Sequence, residues 1–236
     1  MRRSCHLLGA ARLILGAALV SPVAAAHAQV GVTPVGWHAS GDGATTYTIG
    51  SDVSRRPGGT GFTSGYIKAT TTSPSGSATL SQQINAERFR GQRVRLTGYV
   101  RRTGDAGTAI LFLRIDGLGQ DGLADYAAAQ VFVPSRDSDD GRGWIQRSIV
   151  VDIPAHSTAI RIGIVSIGVD EVWLDDVSFQ QVGDAVSLTG SVIAAPTEVR
   201  SIRDMVTTLD KRKQASLQKR TSEFVNLDFE AFRPRN

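Results

Sequence analysis

Two adjacent carboxylates, Asp175 and Asp176, interrupt the stretch EVWLDDVSF at residues 171–179, whose other residues favour a β-strand. Successive side chains in a strand point to opposite faces, so one aspartate must face the packed side. A buried carboxylate is costly unless it is hydrogen-bonded, paired with a cation or bound to a metal ion. The pair therefore indicates a structural site. Because the two side chains point apart, they cannot flank one glycosidic bond as the two carboxylates of a glycosidase do.

Motifs for nucleophilic or metal-assisted catalysis are missing. Only His38 and His156 lie beyond the first 28 residues, and the sequence has no GxSxG, HExxH or P-loop motif. Serine, threonine and aspartate are abundant, but no histidine stands in a motif that would activate a nucleophile. We therefore expect a protein that is not an enzyme.

A sugar site needs an aromatic platform for the apolar face of the sugar and polar neighbours for its hydroxyl groups. The outward-facing candidates on the predicted strands are Arg95, Tyr99, Phe112, Arg114 and Gln130. They form one site only if their strands are neighbours in a sheet. Trp37 and Trp144 are alternative platforms, although tryptophans of a sandwich are often packing residues. Aromatic residues make up 6% of the chain, which favours a small glycan in a cleft over an extended polysaccharide surface.

Short runs of β-forming residues, separated by Gly, Ser, Asp and Pro, fill the chain from about residue 30 to residue 182. Several runs alternate apolar and polar residues, as strands do when one face is packed and the other is open. The predicted strands are Thr45–Ile49, Gly65–Thr70, Ala78–Ile84, Arg93–Arg102, Thr108–Asp116, Ala127–Val133, Trp144–Ile153, Ala159–Ile167 and Glu171–Gln181. This pattern predicts an all-β antiparallel sandwich, with a jelly roll as the first choice and an immunoglobulin-like sandwich as the second.

Residues 1–28 have the pattern of a secretory signal peptide. Two arginines precede an apolar run from Leu7 to Val20, and Ala26-His27-Ala28 suits cleavage. The run is too short for a membrane span, so we expect cleavage and a periplasmic or secreted protein. Cys5 is the only cysteine and leaves with this segment, so the mature protein would contain no disulfide.

Removal of the signal peptide also leaves the chain almost neutral. Three arginines leave with it, so that 23 Lys/Arg and 22 Asp/Glu remain. The isoelectric point of 9.6 for the whole chain is therefore a poor indicator of nucleic-acid binding, and we expect no nucleic-acid partner.

The sequence changes character beyond residue 183. Val199, Ile202, Val206 and Leu209 recur at steps of three and four residues, which predicts a helix within a linker over residues 184–225. The following run KRKQASLQKR is basic and lacks apolar residues at that spacing. A solvated helix is favoured over one that binds a partner or an anionic surface.

Several segments, in this order, resemble a bacterial family of secreted jelly rolls that are like carbohydrate-binding modules and belong to the galactose-binding-like sandwiches. The segments are Gly36-Trp37, Tyr47-Thr48-Ile49, Ser77–Arg101, Phe112–Gly117, Trp144–Pro154 and VWLDDVSF. The resemblance covers about residues 36–182, which we take as the main part of a domain over residues 29–183. It implies a non-catalytic module that binds a glycan or another small polar ligand.

The sequence departs from this family at its ends. Members commonly begin with a strand N-L-x-F-E before the Gly-Trp pair, whereas here the motif stands near the C-terminus as Asn226-Leu227-Asp228-Phe229-Glu230. The resemblance implies that residues 226–236 return as a terminal strand that completes the sandwich, or a partner's sandwich in a strand-swapped homo-oligomer. A truncated second repeat is the alternative.

The resemblance also implies a structural calcium ion. Its ligands would be Glu230 of the displaced motif and Asp175 or Asp176 of the closing strand, with backbone carbonyls from the loop near residues 51–59.

Three functions follow from these observations, in decreasing order of support. The first is a non-catalytic, extracytoplasmic binding module for a glycan or small polar ligand. The second is a structural or protein-interaction jelly roll, whose basic helical tail docks a partner and which binds no sugar. The third is a hydrolase.

Overall fold

The computed structural model describes residues 32–53, 61–118, 124–133, 143–189 and 221–231, and for residues 118 and 124–133 it describes the backbone alone. The predicted signal peptide and the predicted helix around residues 199–209 lie outside these ranges. Within them, no helix is long and apolar enough to cross a membrane.

Ten strands and two short 3₁₀ turns make up the regular structure of these residues. The strands are β1 (His38–Ser40), β2 (Tyr47–Asp52), β3 (Ser64–Ala69), β4 (Ser77–Asn85), β5 (Arg93–Arg102), β6 (Thr108–Leu118), β7 (Ala124–Val133), β8 (Trp144–Asp152), β9 (Ser157–Ile167) and β10 (Val172–Val182). Nine of them match the predicted strands within a few residues. The sequence analysis missed the three-residue strand β1.

The strands form two five-stranded sheets, and every pair of neighbouring strands is antiparallel. The first sheet has the order β1-β4-β9-β6-β7, and the second has the order β2-β3-β10-β5-β8. Consecutive strands switch repeatedly between the two sheets, as in a jelly roll. The predicted all-β antiparallel sandwich is confirmed.

The core lies between the two sheets and is made by the alternating apolar residues of each strand. In β9, for example, Ile160, Ile162 and Ile164 are buried in the core, whereas Arg161 between them points to the outer face. Full burial of each such side chain stabilises the fold by about 1.5–3 kcal/mol. The same alternation places the polar side chains of the outer faces in fixed rows.

Residues 221–231 pack against the sandwich, but they do not form the predicted terminal strand. Asn226 and Phe229 have positive φ angles of 50° and 62°, so the segment is a turn rather than an extended ladder strand. The backbone is held in this shape by contacts with side chains, among them a hydrogen bond from Trp37 Nε1 to the carbonyl of Asn226 at 3.0 Å. Phe229 is nevertheless 2% exposed and belongs to the core.

The chain between the sandwich and this segment begins along the edge of the second sheet. The amide of Thr189 donates to the carbonyl of Val150 at 2.9 Å, and the amide of Val150 donates to the hydroxyl of Thr189 at 2.8 Å. Residues 183–189 therefore cover part of the edge strand β8, and ordered contacts extend six residues beyond the predicted domain boundary at residue 183.

Candidate functional site

The five side chains predicted to form one sugar site are divided between the two sheets. Arg95 and Tyr99 lie on β5 in the second sheet, whereas Phe112 and Arg114 lie on β6 in the first. The expectation that they share one surface is wrong. The connection between β5 and β6 is short, but it crosses from one sheet to the other instead of forming a hairpin within one sheet.

Two arginines face each other on the outer face of the first sheet. Arg114 of β6 is directly opposite Arg161 of β9, and Arg161 is directly opposite Gln83 of β4. Opposite residues of antiparallel strands share a face and lie within side-chain contact. We call these three residues, together with Asp116 on the same face of β6, the arginine row.

Each arginine of the row is oriented by a neighbouring polar side chain. Arg161 donates to Gln83 Oε1 from both Nε, at 3.1 Å, and Nη2. Arg114 donates from Nε to Asp116 Oδ1 at 2.7 Å, and its Nη2 lies 2.7 Å from the same oxygen. Shared acceptors of this kind fix the planes of the guanidinium groups.

Asp116 presents an acceptor that is not used within the described structure. Its Oδ1 binds Arg114, but its Oδ2 is buried and accepts no hydrogen bond from any residue that the structure describes. Buried polar atoms are almost always hydrogen-bonded, so we expect this oxygen to accept from a donor such as a ligand hydroxyl group or a water molecule.

The burial of the other first-sheet candidates limits what they can do. Phe112 is 3% exposed and Arg114 is 7% exposed, whereas Gln83, Arg161 and Asp116 are partly exposed. Phe112 is therefore a packing residue on this face, and not an open platform. Gln130 lies opposite Phe112 on the edge strand β7, in the same cross-strand row.

The outer face of the second sheet carries a different set of residues. Trp173 of β10 lies opposite Tyr66 of β3 on one side and opposite Arg101 of β5 on the other, and Arg101 in turn lies opposite Trp144 of β8. The guanidinium of Arg101 stands 4.0 Å from the ring centre of Trp173 and 5.7 Å from that of Trp144. We call these four residues the tryptophan row.

Two polar groups of the tryptophan row have partners on this face. Trp173 Nε1 donates to Asp52 Oδ2 at 2.8 Å, and the positive charge of Arg101 lies over aromatic faces that attract it. Burial raises the pKa of Tyr66, and the charge of Asp52 raises it further. Trp144, one of the alternative sugar platforms, is 1% exposed in this row.

The residues predicted to bind calcium have hydrogen-bond partners within the protein. Glu230 Oε1 accepts hydrogen bonds from the amides of Phe62 and Thr63 at 2.7 and 2.8 Å and from the Thr63 hydroxyl at 3.0 Å. Asp175 is 2% exposed, and its Oδ1 accepts from the amide of Asp176 at 2.8 Å. Among the residues that the structure describes, no three acidic, histidine or cysteine side chains form a group that could hold a metal ion.

The local backbone explains the role of the two aspartates. The register of β10 against β5 shifts between Asp175 and Ser178, and Asp176 has a φ angle of 44°. The Asp175 carboxylate thus stabilises a β-bulge, where a ladder would otherwise leave the Asp176 amide unpaired. Calcium at these residues stays a prediction, which melting curves recorded with calcium and with EDTA would test.

Gln83, Arg161 and Asp116 were not predicted from the sequence as ligand-binding candidates. A signal was present for Arg161, which interrupts the isoleucine-rich strand β9 at an outward position. No sequence signal could reveal that it lies opposite Arg114, because strand pairing is a property of the tertiary structure.

Comparisons with known proteins give a partial relative and a set of similar folds. No family model matches the chain. The uncharacterised HTH-type transcriptional regulator YbfP of Bacillus subtilis (strain 168) is 32% identical over 155 residues, which are 65% of this chain and 50% of that protein. The chain thus spans about half the length of this curated relative.

The similar solved structures have low sequence identity. The enzymatically active domain of tailspike protein 4 from bacteriophage CBA120 has a TM-score of 0.48 and 17% identity, over 63% of this chain and 20% of that one. The CBM22-1 and GH10 modules of Clostridium thermocellum xylanase 10B, complexed with xylohexaose, have a TM-score of 0.45 and 14% identity, over 66% and 28%. The CBM22-1 xylan-binding domain of Paenibacillus barcinonensis Xyn10C has a TM-score of 0.41 and 18% identity, over 64% and 88%.

Proposed function

We propose that the protein is a non-catalytic, extracytoplasmic binding module, and that the arginine row binds a glycan or another small polar ligand rich in hydroxyl groups. One observation carries the proposal: Arg114 and Arg161 lie directly opposite each other, beside a carboxylate oxygen that accepts no hydrogen bond from the described residues.

Like charges at directly opposite positions of a sheet are destabilising. In the arginine row two guanidinium groups occupy directly opposite positions, and the Asp116 carboxylate beside them binds Arg114. Groups that lower stability in this way are expected where a ligand is bound. A ligand with several acceptor oxygens suits a face that carries two neighbouring guanidinium groups.

Sugar hydroxyl groups match both requirements of the row, because each hydroxyl donates one hydrogen bond and accepts others. A hydroxyl group could donate to Asp116 Oδ2, once a side-chain adjustment exposes this buried oxygen, and accept from Arg161. The partly exposed amide of Gln83 extends the row by one residue across β4. We assign the polar recognition to these three side chains and to Arg114.

The absence of a catalytic role is part of the proposal. Asp116 bonds to Arg114 through one oxygen, and Asp175 supports a β-bulge of the second sheet, so these two carboxylates serve different faces of the sandwich. They cannot act together on one glycosidic bond, which needs two carboxylates on opposite sides of it.

A glycan array probed with the mature protein tests this function. We expect at least one neutral or acidic oligosaccharide to bind, and Arg161→Ala to weaken that binding about tenfold or more, the effect of losing a charged hydrogen bond. Arg95→Ala removes an arginine from the outer face of the second sheet and serves as the matched control. Binding that Arg161→Ala leaves unchanged, or no bound glycan in a folded sample, would contradict the proposal.

A further inference from the structure

The body of the protein binds the backbone of residues 221–231, which we call the C-terminal segment, at successive positions. The hydrogen bonds are from Gln82 Nε2 to Val225 O (2.6 Å), from Val225 N to Gln82 Oε1 (3.1 Å), from Trp37 Nε1 to Asn226 O (3.0 Å), from Val177 N to Leu227 O (3.0 Å) and from Thr63 Oγ1 to Phe229 O (2.7 Å). Side chains of the body supply most of these contacts. This is how a protein holds a peptide that it recognises, with backbone contacts that fix the position of the bound chain.

Two side chains of the segment are recognised individually. Phe229 stacks on Trp37 with ring centres 4.6 Å apart, and it enters a space that exists because residue 65 is glycine. A Cβ atom at Gly65 would lie 2.5 Å from Phe229 Cε1. Glu230 is bound by the amides of Phe62 and Thr63, which form a small nest for its carboxylate. We call this site the segment slot and define it by Trp37, Phe62, Thr63, Gly65, Gln82 and Val177.

The segment also contains hydrogen bonds of its own. The side chain of Asn226 closes the turn. Its Oδ1 accepts from the amide of Ala231 at 2.6 Å, and its Nδ2 donates to the carbonyl of Ala231 at 3.3 Å. Residues 225–230 are not part of either sheet, so their departure would not break a ladder of strand hydrogen bonds. The segment is therefore a compact ligand-like unit, and its connection to the body is not what positions it.

The connection to the body is also long. Residues 190–220, which the structure does not describe, separate the segment from Thr189 at the edge of the second sheet. A chain of this length spans at most about 100 Å when fully extended, which is enough to reach a neighbouring molecule. The slot's own segment competes with a segment from a second copy, so exchange between two copies should increase with protein concentration.

We propose that the segment slot is a binding site for an Asn-Leu-x-Phe-Glu segment supplied in trans, and that its partner is a second copy of this chain. The contacts that select the partner are the Phe229 ring against Trp37 and Gly65, and the Glu230 carboxylate on the amides of Phe62 and Thr63. Exchange of the segment between two copies preserves every one of these contacts. This inference does not depend on the proposed ligand of the arginine row.

Two full-length mature variants test the exchange by complementation. Phe229→Ala has an intact slot and a defective segment, whereas Gly65→Ala has an intact segment and a slot that its new Cβ obstructs. We expect each variant alone to be monomeric in light scattering after size-exclusion chromatography, and an equimolar mixture to form a one-to-one heterodimer. A mixture that contains only monomers, with both variants folded by near-ultraviolet circular dichroism, would overturn the proposal.

A peptide titration gives a second measurement if either variant fails to fold. A fluorescent peptide of residues 221–231 is titrated into the full-length Glu230→Ala protein. In this variant the protein's own segment lacks the carboxylate that the amides of Phe62 and Thr63 bind, and the substitution lies at an exposed position outside the core. We expect the unmodified peptide to bind this protein about tenfold or more tightly than the same peptide with Phe229→Ala, because the altered peptide lacks the buried ring. We also expect about tenfold weaker binding to the wild-type protein, whose own segment competes. Equal binding of the two peptides, or no binding at millimolar concentration, would overturn the proposal.

Discussion

The outer faces of the two sheets both present arginines, but the arginines have opposite surroundings. In the second sheet, Arg101 lies 4.0 Å from the ring centre of Trp173, whose indole nitrogen binds Asp52. In the first sheet, Arg161 faces another arginine across the strands, and the nearby Asp116 has a buried oxygen without a hydrogen-bond donor among the described residues.

This difference separates a face that stabilises the fold from the face that we propose binds a ligand. Cation–π contacts and buried indoles add to stability, and the tryptophan row contains both. Opposed like charges and an unused buried acceptor lower stability. The two faces should therefore respond in opposite ways to substitution, with the larger losses in the free energy of unfolding on the second sheet.

Replacement of Trp173 by alanine should have the largest effect. The side chain is 4% exposed, stacks under Arg101 and donates to Asp52, so its removal should lower the free energy of unfolding by about 3–5 kcal/mol. Urea denaturation monitored by circular dichroism measures this loss. A loss below about 1 kcal/mol would mean that the tryptophan row is not a stabilising element.

Replacement of Arg101 by alanine should have an intermediate effect. The guanidinium contacts two tryptophan rings, and such contacts contribute about 0.5–2 kcal/mol each according to their exposure. The same urea experiment applies, with Arg95→Ala on the same strand and face as the matched control. If the two variants lose equal stability, the effect belongs to the loss of any arginine from β5 and not to the aromatic contacts.

Alkaline pH should weaken the second sheet slightly. The raised pKa of Tyr66 means that the folded state holds the phenol proton more firmly than the unfolded state. Its contribution is complete below the unfolded pKa near 10 and is lost as the pH rises through the raised folded pKa. We expect Tyr66→Phe to lose less stability than the wild type between about pH 9 and 11 in urea titrations. Parallel curves for the two proteins would contradict this assignment.

Replacement of Arg161 by alanine should change stability least. Removal of one of two opposed positive charges offsets the loss of its hydrogen bonds to Gln83, so the free energy of unfolding should change by less than about 0.5 kcal/mol or increase. Differential scanning calorimetry of the two proteins measures this directly. A loss above about 2 kcal/mol would show that Arg161 is a structural residue.

Sequence reasoning predicted the strands well because each strand carries its own signal. Strand β5 was predicted with the observed bounds, Arg93–Arg102, since its apolar and polar residues alternate without interruption. The same alternation correctly separated the inward from the outward side chains of β6. Both properties depend on residues that are close together in the sequence.

Strand pairing could not be predicted, and the predicted site was wrong for this reason. Strand β6 pairs with β9 and β7, not with β5, so Arg114 meets Arg161 instead of Tyr99. The conformation of the displaced motif at residues 226–230 likewise depends on residues that are distant in the sequence. Its residues suit a strand, but Asn226 and Phe229 adopt positive φ angles because Trp37 and the space at Gly65 bind them in a turn.

The most direct test of the contrast between the faces is the affinity of one oligosaccharide, chosen from the glycan array, for three proteins in isothermal titration calorimetry. The wild type and Arg95→Ala should bind with equal dissociation constants, and Arg161→Ala should bind about tenfold or more weakly while melting at the wild-type temperature. Equal affinity of all three proteins, or loss of affinity in Arg95→Ala with Arg161→Ala unaffected, would contradict the assignment of the ligand to the arginine row.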